Sequence, residues 1–256
     1  MNYLKGVKLT GSLLLFMATF QLSSCQSKSG EFSYSNTVNL NDPIKETEIV
    51  MGAGKLNINT HAATSVVLEA DFSKEAWKPE MELDQSFGKL SISQPDGKFN
   101  SMKDEDYNDW RIKLPKSLES DLNIALGAGE GKINLSDASL NSVKFEAGAG
   151  DFDINLSRTD LSALEVNAGV GQITLDLSGA RKNNLRAQIN GGVGAISLTL
   201  PRETGVRIKV NGLGGIDQND FIKRDGYFVN DQYGKTSESI EVEINGGLGS
   251  LALKMR

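Results

Sequence analysis

The sequence predicts an all-β protein, a single-stranded β-solenoid similar to a β-helix, with two facing sheets. A Gly-x-Gly doublet recurs within strand-like segments, and its first glycines at Gly127, Gly148, Gly169 and Gly192 are 21, 21 and 23 residues apart. Apolar and polar residues alternate on both sides of each doublet. A repeat of this length with two short strands predicts rungs of about 21 residues, which turn at Gly-x-Gly corners and bury their apolar faces by stacking.

The alternation has a period of two, as in strands with one dry face and one wet face. Before the corner at Gly148, Val143 and Phe145 alternate with Lys144 and Glu146. This pattern predicts that the apolar residues point into a narrow core between the two sheets. Because glycine takes positive φ without steric cost, we assign that conformation to the corners and expect Gly148→Val to destabilise the fold strongly.

The first 24 residues have the pattern of an export signal. Lys5 and Lys8 precede an apolar run at 13–20, which is too short to span a bilayer, and Leu22-Ser23-Ser24-Cys25 follows. This order resembles a bacterial lipoprotein signal peptide with its lipobox. The resemblance implies that Cys25 becomes the mature N-terminus and carries a diacylglyceryl group and a fatty acid such as palmitate, which makes the membrane a partner.

The rest of the chain divides by the regularity of its pattern. We interpret residues 25–45 as the lipidated cysteine and a polar tether, and 46–256 as the β-solenoid domain. Within that domain 46–119 is less regular, whereas 120–256 holds regular repeats with an excursion at 217–238.

Composition excludes several partners. The net charge is -6 and becomes -8 when Lys5 and Lys8 leave with the signal, which argues against nucleic acid and anionic membrane surfaces. Gly234-Lys235-Thr236 looks like the end of a phosphate loop, but Val229 stands where its first glycine belongs, so no nucleotide is expected. We assign no cofactor, and we place the protein in the cell envelope, lipid-anchored at the periplasmic face or the cell surface.

An acidic loop contains the weak metal candidates Asp104, Asp106 and Asp109. Several carboxylates could bind Ca²⁺, but the loop lacks the spacing and glycine of an EF-hand, and a charge run is usually solvated. His61 is the only histidine, which excludes a site with two histidine ligands, and Cys25 is the only cysteine. No metal site is therefore assigned.

Three aromatic residues near this loop have two interpretations. Trp77, Tyr107 and Trp110 could stack on a sugar or a peptide. They could equally fill the irregular end of the core, which is the favoured interpretation because large aromatic side chains usually serve burial.

From about residue 120 onward the chain resembles the bacterial toastrack-type domains, which include the C-terminal domain of the LiaF-like antibiotic-response proteins. The motifs that carry the resemblance are at 192–201, 205–216 and 240–251, and the Ile-Asn-Gly phrase also resembles the head domains of adhesins. Residues 31–119 match less well. The family implies a β-solenoid in the envelope without an assigned activity, and it supplies no functional residues.

Three functions fit these observations. The first is a non-catalytic envelope scaffold that binds a glycan or a protein, adhesin-like or stress-related. The second is a polysaccharide-active enzyme, for which Asp151 and Asp153 form a candidate pair, although the favoured interpretation is a solvated wet face, because alternation explains both residues completely. The third is an assembly module that stacks through the open end of the solenoid.

Overall fold

The computed structural model describes residues 31–95, 102–212, 214–218 and 220–256. Cys25 lies outside the described residues. Within them the regular elements are fifteen strands and a single turn of 3₁₀ helix at Glu75–Trp77. The strands are β1 (Phe32–Asn39), β2 (Glu46–His61), β3 (Ser65–Phe72), β4 (Glu80–Asp84), β5 (Lys89–Ser93), β6 (Asn108–Pro115), β7 (Ser120–Asn134), β8 (Leu140–Asn155), β9 (Ala163–Asp176), β10 (Leu185–Leu200), β11 (Gly205–Gly212), β12 (Gly215–Asp217), β13 (Ile222–Arg224), β14 (Tyr227–Val229) and β15 (Ser239–Met255).

Six long strands of 14 to 17 residues form the stack: β2, β7, β8, β9, β10 and β15. Each passes through a Gly-x-Gly corner without a break and pairs in parallel with its neighbours. We call the part before the corner the first arm and the part after it the second arm. The predicted β-solenoid is thus confirmed, and its two facing sheets are the arms of one large open sheet.

The core lies between the two arms. Phe145 on the first arm and Phe152 on the second meet edge to face across one rung, with ring centroids 5.2 Å apart. The inward residues of all six rungs belong to a single hydrophobic cluster. Each fully buried Leu, Ile or Phe contributes roughly 1.5–3 kcal/mol, so the alternating pattern supplies the main driving force for stacking.

Glycine is required at the corners because neighbouring rungs touch there through their backbones. A Cβ atom on Gly148 would overlap with the carbonyl oxygen of Gly127, and one on Gly150 would overlap with that of Gly129. The described glycines with positive φ include Gly150, at 147°, but not Gly148. The predicted conformation was therefore wrong for Gly148: its substitution is still expected to be damaging, but through collision with the preceding rung.

Side chains close the first corner, which has no further Gly-x-Gly rung beneath it. The backbone N–H of Gly52 donates to Gln94 Oε1 at 3.0 Å, and Asn108 Nδ2 donates to the carbonyl oxygen of Ala53 at 2.9 Å. Trp110 Nε1 donates to Asn108 Oδ1 at 2.9 Å. Asn108 is fully buried. Its side chain supplies a hydrogen-bond partner to the backbone of this corner, in place of the backbone of a further rung.

The order of the rungs differs from the order of the sequence at both ends. β2 lies beside β7, and the C-terminal strand β15 lies between β10 and β11. β11 and β12 pair in parallel with the other side of β15, and β14 then pairs with β11. The C-terminal strand is therefore interior to the sheet.

Shorter strands, some parallel and some antiparallel, finish the N-terminal end. β5 and β6 pair with the first and second arms of β2, β4 adds to β5, and β3 and then β1 add to β6. The assignment of 25–45 as tether was wrong for β1. Its outward residues are polar, and Asn36 interrupts the apolar inward series of Phe32, Tyr34 and Val38, so the hydrophobic signal was weak. Phe32 stacks on Phe72 with ring centroids 5.8 Å apart.

An asparagine ladder runs along the first arm, two residues before the corner. Asn190 Nδ2 donates to Asn167 Oδ1 at 2.6 Å, Asn245 Nδ2 to Asn190 Oδ1 at 2.9 Å, and Asn211 Nδ2 to Asn245 Oδ1 at 2.8 Å. Identical amides repeat at the strand spacing, so the two inner ones, Asn190 and Asn245, both donate and accept. The ladder fixes the register of four neighbouring rungs.

We expect Asn190→Ala to lower the free energy of unfolding by about 2 kcal/mol, because it removes two ladder bonds worth about 1 kcal/mol each. Chemical denaturation measures the change. Gln188→Ala is the matched control on the same strand, since Gln188 is exposed and makes one long contact of 3.4 Å. Equal losses in the two variants would contradict a stabilising ladder.

Candidate functional site

A groove of about 640 Å³ crosses the outer face of the first arms. Its walls come from six neighbouring strands, β7, β8, β9, β10, β15 and β11, and its end is closed by Tyr227 of β14. With strands about 4.8 Å apart, the groove extends for roughly 24 Å along the stack. This length suits an extended ligand better than a compact one.

Two outward columns of side chains line the groove, because residues two apart on a strand share a face and equivalent residues of parallel strands stack. In strand order, the first column holds Asn123, Lys144, Glu165, Gln188, Glu243 and Lys209. The second includes Ser142, Ala163, Arg186, Glu241 and Arg207. Amides, carboxylates and cations are therefore interspersed along one surface.

Ion pairs fix the end of the groove near the C-terminus. Arg207 Nη2 lies 2.7 Å from Glu241 Oε1, and Lys209 Nζ lies 3.3 Å from Glu243 Oε1. The Arg207 guanidinium also lies 4.9 Å from the ring centroid of Tyr227. These contacts join β11, β15 and β14, so the cations of this end have a structural role.

Arg186 is the cation most available to a ligand. It is exposed in the middle of the groove, and the neighbouring position on β9 is Ala163, whose small side chain leaves room beside it. Glu241, its neighbour on β15, is already bound by Arg207. An arginine presents a planar set of donors that suits a carboxylate or a phosphate.

A second surface feature follows the outside of the corners. The residues between the two glycines are Ala128, Ala149, Val170, Val193 and Leu248, and the last three are 54%, 49% and 75% exposed. The larger exposed apolar side chains of these corners therefore lie on β9, β10 and β15.

The structure corrects the binding interpretation of two aromatic residues. Trp77 and Trp110 are 1% and 0% exposed, so neither ring can stack on a ligand, and both fill the end of the core. Tyr107 is half-buried. Both tryptophans thus follow the interpretation favoured from sequence, in which large aromatic side chains fill the irregular end of the core.

The acidic residues near 104 do not form a metal site. Among the described residues no group of three or more His, Cys, Asp or Glu side chains is placed to hold a metal ion, so Asp104, Asp106 and Asp109 do not converge. Asp106 instead accepts from Lys74 Nζ at 2.6 Å and from the backbone N–H of Lys103 at 2.8 Å. The bond from Lys74 holds the pKa of Asp106 below its usual range, so its contribution to stability is lost as the pH falls.

The other candidate residues lie away from the groove. Asp151 and Asp153 are exposed on the outer face of the second arm of β8, beyond the core from the groove. His61 Nε2 lies 2.6 Å from the carbonyl oxygen of Ser65 and thus belongs to the turn between β2 and β3. Only alignment of the rungs by their corner glycines would have brought the groove residues together from sequence.

Fold and surface together define a class: a glycine-cornered β-solenoid with a polar groove along one face. The chain belongs to the toast_rack family, since the family model described as the N-terminal domain of toast_rack, DUF2154, matches residues 26–160 and 153–199. The match includes 31–119, where the resemblance had looked weaker.

A solved structure shares the fold, and others are more distantly similar. A candidate cell adhesion protein from Clostridium sporogenes is 30% identical, with a TM-score of 0.66, and the alignment covers 88% of this chain and 100% of that one. A candidate adhesin from Bacteroides fragilis is 10% identical, with a TM-score of 0.30, over 87% and 97% of the two chains. No curated protein matches the chain. Within the described residues, no helix has the length and apolar character needed to cross a bilayer.

Proposed function

We propose that the protein is a non-catalytic, adhesin-like scaffold of the cell envelope that binds an acidic envelope glycan along the first-arm groove. The observation that carries the proposal is the position of Arg186, exposed and beside Ala163 in the middle of a groove roughly 24 Å long. Gln188 and Asn123 offer further hydrogen bonds on the same wall. The 30% identity to a candidate cell adhesion protein supports the adhesin-like role.

The groove explains why an extended polymer is the favoured ligand. Its hydrogen-bonding groups repeat at the strand spacing, so successive units of a polymer can meet equivalent positions on successive rungs. Its carboxylates Glu241 and Glu243 are held by cations of β11, which ties them to the scaffold. A ligand can therefore bind in the groove without breaking these ion pairs.

We expect Arg186→Ala to weaken binding to glycan isolated from the producing cell's envelope by roughly tenfold or more, the value of a charge-assisted hydrogen bond. Affinity gel electrophoresis of the full-length chain measures the change, and chemical reduction of the glycan's carboxyl groups should have the same effect. Lys132→Ala is the matched control, because Lys132 is exposed on the outer face of the second arm. Equal binding by both variants would refute the role of the groove, and conversion of the glycan to shorter fragments would favour the enzyme instead.

The proposal also includes a lipid anchor at Cys25. Labelled palmitate should enter the wild-type protein and not Cys25→Ser, and the variant should leave the membrane fraction. Membrane association that persists without label would contradict this anchor. The two parts of the proposal are independent, because Cys25→Ser leaves the groove intact.

A further inference from the structure

The sheet has an unprotected edge at β1. Four strands in the described ranges have a neighbour on one side only: β1, β4, β12 and β13. β1 has eight residues, whereas the others have five, three and three. Such an edge presents unpaired backbone groups to any strand that approaches it, and proteins usually block it with charge or proline.

The sequence of β1 lacks the charges and the proline that usually protect an edge strand. Its sequence, Phe-Ser-Tyr-Ser-Asn-Thr-Val-Asn, contains no charged residue, proline or glycine. By contrast, β4 carries Glu80, Glu82 and Asp84, β13 carries Lys223 and Arg224, and β12 carries Asp217. β4 and β13 would therefore place like charges together if either met its own copy, β12 has only three residues, and β1 carries no charge.

The backbone of β1 is oriented for pairing. The N–H of Leu40 donates to the carbonyl oxygen of Thr64 at 2.9 Å, one pair beyond the last pair of β1 with β3. Hydrogen-bonded pairs alternate along an antiparallel ladder, so the even-numbered residues of β1 point their backbone groups toward β3. The backbone groups of Ser33, Ser35, Thr37 and Asn39 therefore point to the free edge.

We propose that β1 pairs antiparallel with β1 of a second copy of this chain, about a twofold axis at Ser35, to form a dimer with one continuous sheet. In this register Ser35 meets Ser35 of the other copy, and Phe32 meets Val38 on the side that faces the core. The axis pairs even-numbered residues with even-numbered ones, so the core-facing side chains of both copies lie on the same face of the continuous sheet. Opposed aromatic and β-branched side chains are a favourable cross-strand pair.

The lack of charged residues on β1 favours this contact over contacts at the other edges. Two copies that each carry a net charge of -6 repel one another, so an interface must keep like charges apart. Phe32 and Tyr34 are half-buried and already pack against the core, so a partner strand would extend that core across the interface. β1 is thus the described edge that a second copy fits best.

Cysteine cross-linking tests the register. Full-length Ser35→Cys should form a disulfide-linked dimer under mild oxidation, because the Cα atoms of a hydrogen-bonded antiparallel pair lie about 5.5 Å apart, within reach of a disulfide. Thr37→Cys is the matched control on the same face of the same strand, since its opposite residue is Ser33. The wild type shows any background from Cys25. No dimer with Ser35→Cys, or equal dimer with Thr37→Cys, overturns the proposal.

Light scattering tests the association itself. The wild type should have twice the mass of the chain, and Ser35→Pro should raise the dissociation constant by roughly tenfold or more, since two intermolecular hydrogen bonds are lost. The N–H of Ser35 points away from β3, so proline should leave the monomer folded, as an unchanged thermal transition at matched monomer content would show. A monomeric wild type, or a dimer that Ser35→Pro leaves unchanged, contradicts the inference.

Discussion

Gly150→Ala is expected to lower the free energy of unfolding by about 4 kcal/mol. Gly150 has φ of 147°, and its added Cβ would overlap with the carbonyl oxygen of Gly129 on the preceding rung. Backbone strain costs about 1–3 kcal/mol, and overpacking against a rigid backbone adds a similar amount. Thermal unfolding should show Tm lower by roughly 10 °C for a chain of this size.

Two other glycines separate the causes of this loss. A Cβ on Gly215 would meet nothing within 4 Å, so Gly215→Ala should change stability little. Gly226 has φ of 83° and equally open surroundings, so Gly226→Ala should show the conformational cost alone. If Gly150→Ala cost no more than Gly226→Ala, contact between stacked corners would not be what requires glycine.

Asn108→Ala is expected to cost about 3 kcal/mol, because it leaves the Ala53 carbonyl and the Trp110 indole N–H buried without partners. Chemical denaturation measures the loss. Asn123→Ala is the matched control, since Asn123 is half-buried on the wall of the groove. A similar effect of both changes would mean that the side-chain network does not hold the first corner.

The rungs were predictable because the alternating residues and the glycine pair that define each rung lie close together in the sequence. Phe145 and Phe152 stand at alternating positions on either side of a glycine pair, and the same phrase repeats at nearly constant spacing. β1 was missed because Ser33, Ser35 and Thr37 are polar and because its inward residues are not all apolar, so the alternation was weak. The position of β15 between β10 and β11 was missed because the residues of a strand at the end of a stack have the same pattern as those of a strand inside it.

The groove was predictable only in part. Alternation placed Lys144 and Glu146 on a wet face, but the neighbours of Arg186 are Ala163 and Glu241, which are far away in sequence. Tyr227 comes from the excursion at 217–238, whose pairing with β11 depends on the finished sheet. Partners that long-range pairing brings together cannot be identified from a single rung.

The placement of β15 has a consequence for biogenesis. β10 pairs with β9 on one side, but its other side and the parallel side of β11 stay unpaired until the 17-residue strand β15 has been made, so this end of the sheet cannot form without β15. A chain truncated before β15 would expose unpaired edges on both β10 and β11. Unpaired edges favour aggregation, so a folding chain would need protection until β15 has paired with both strands.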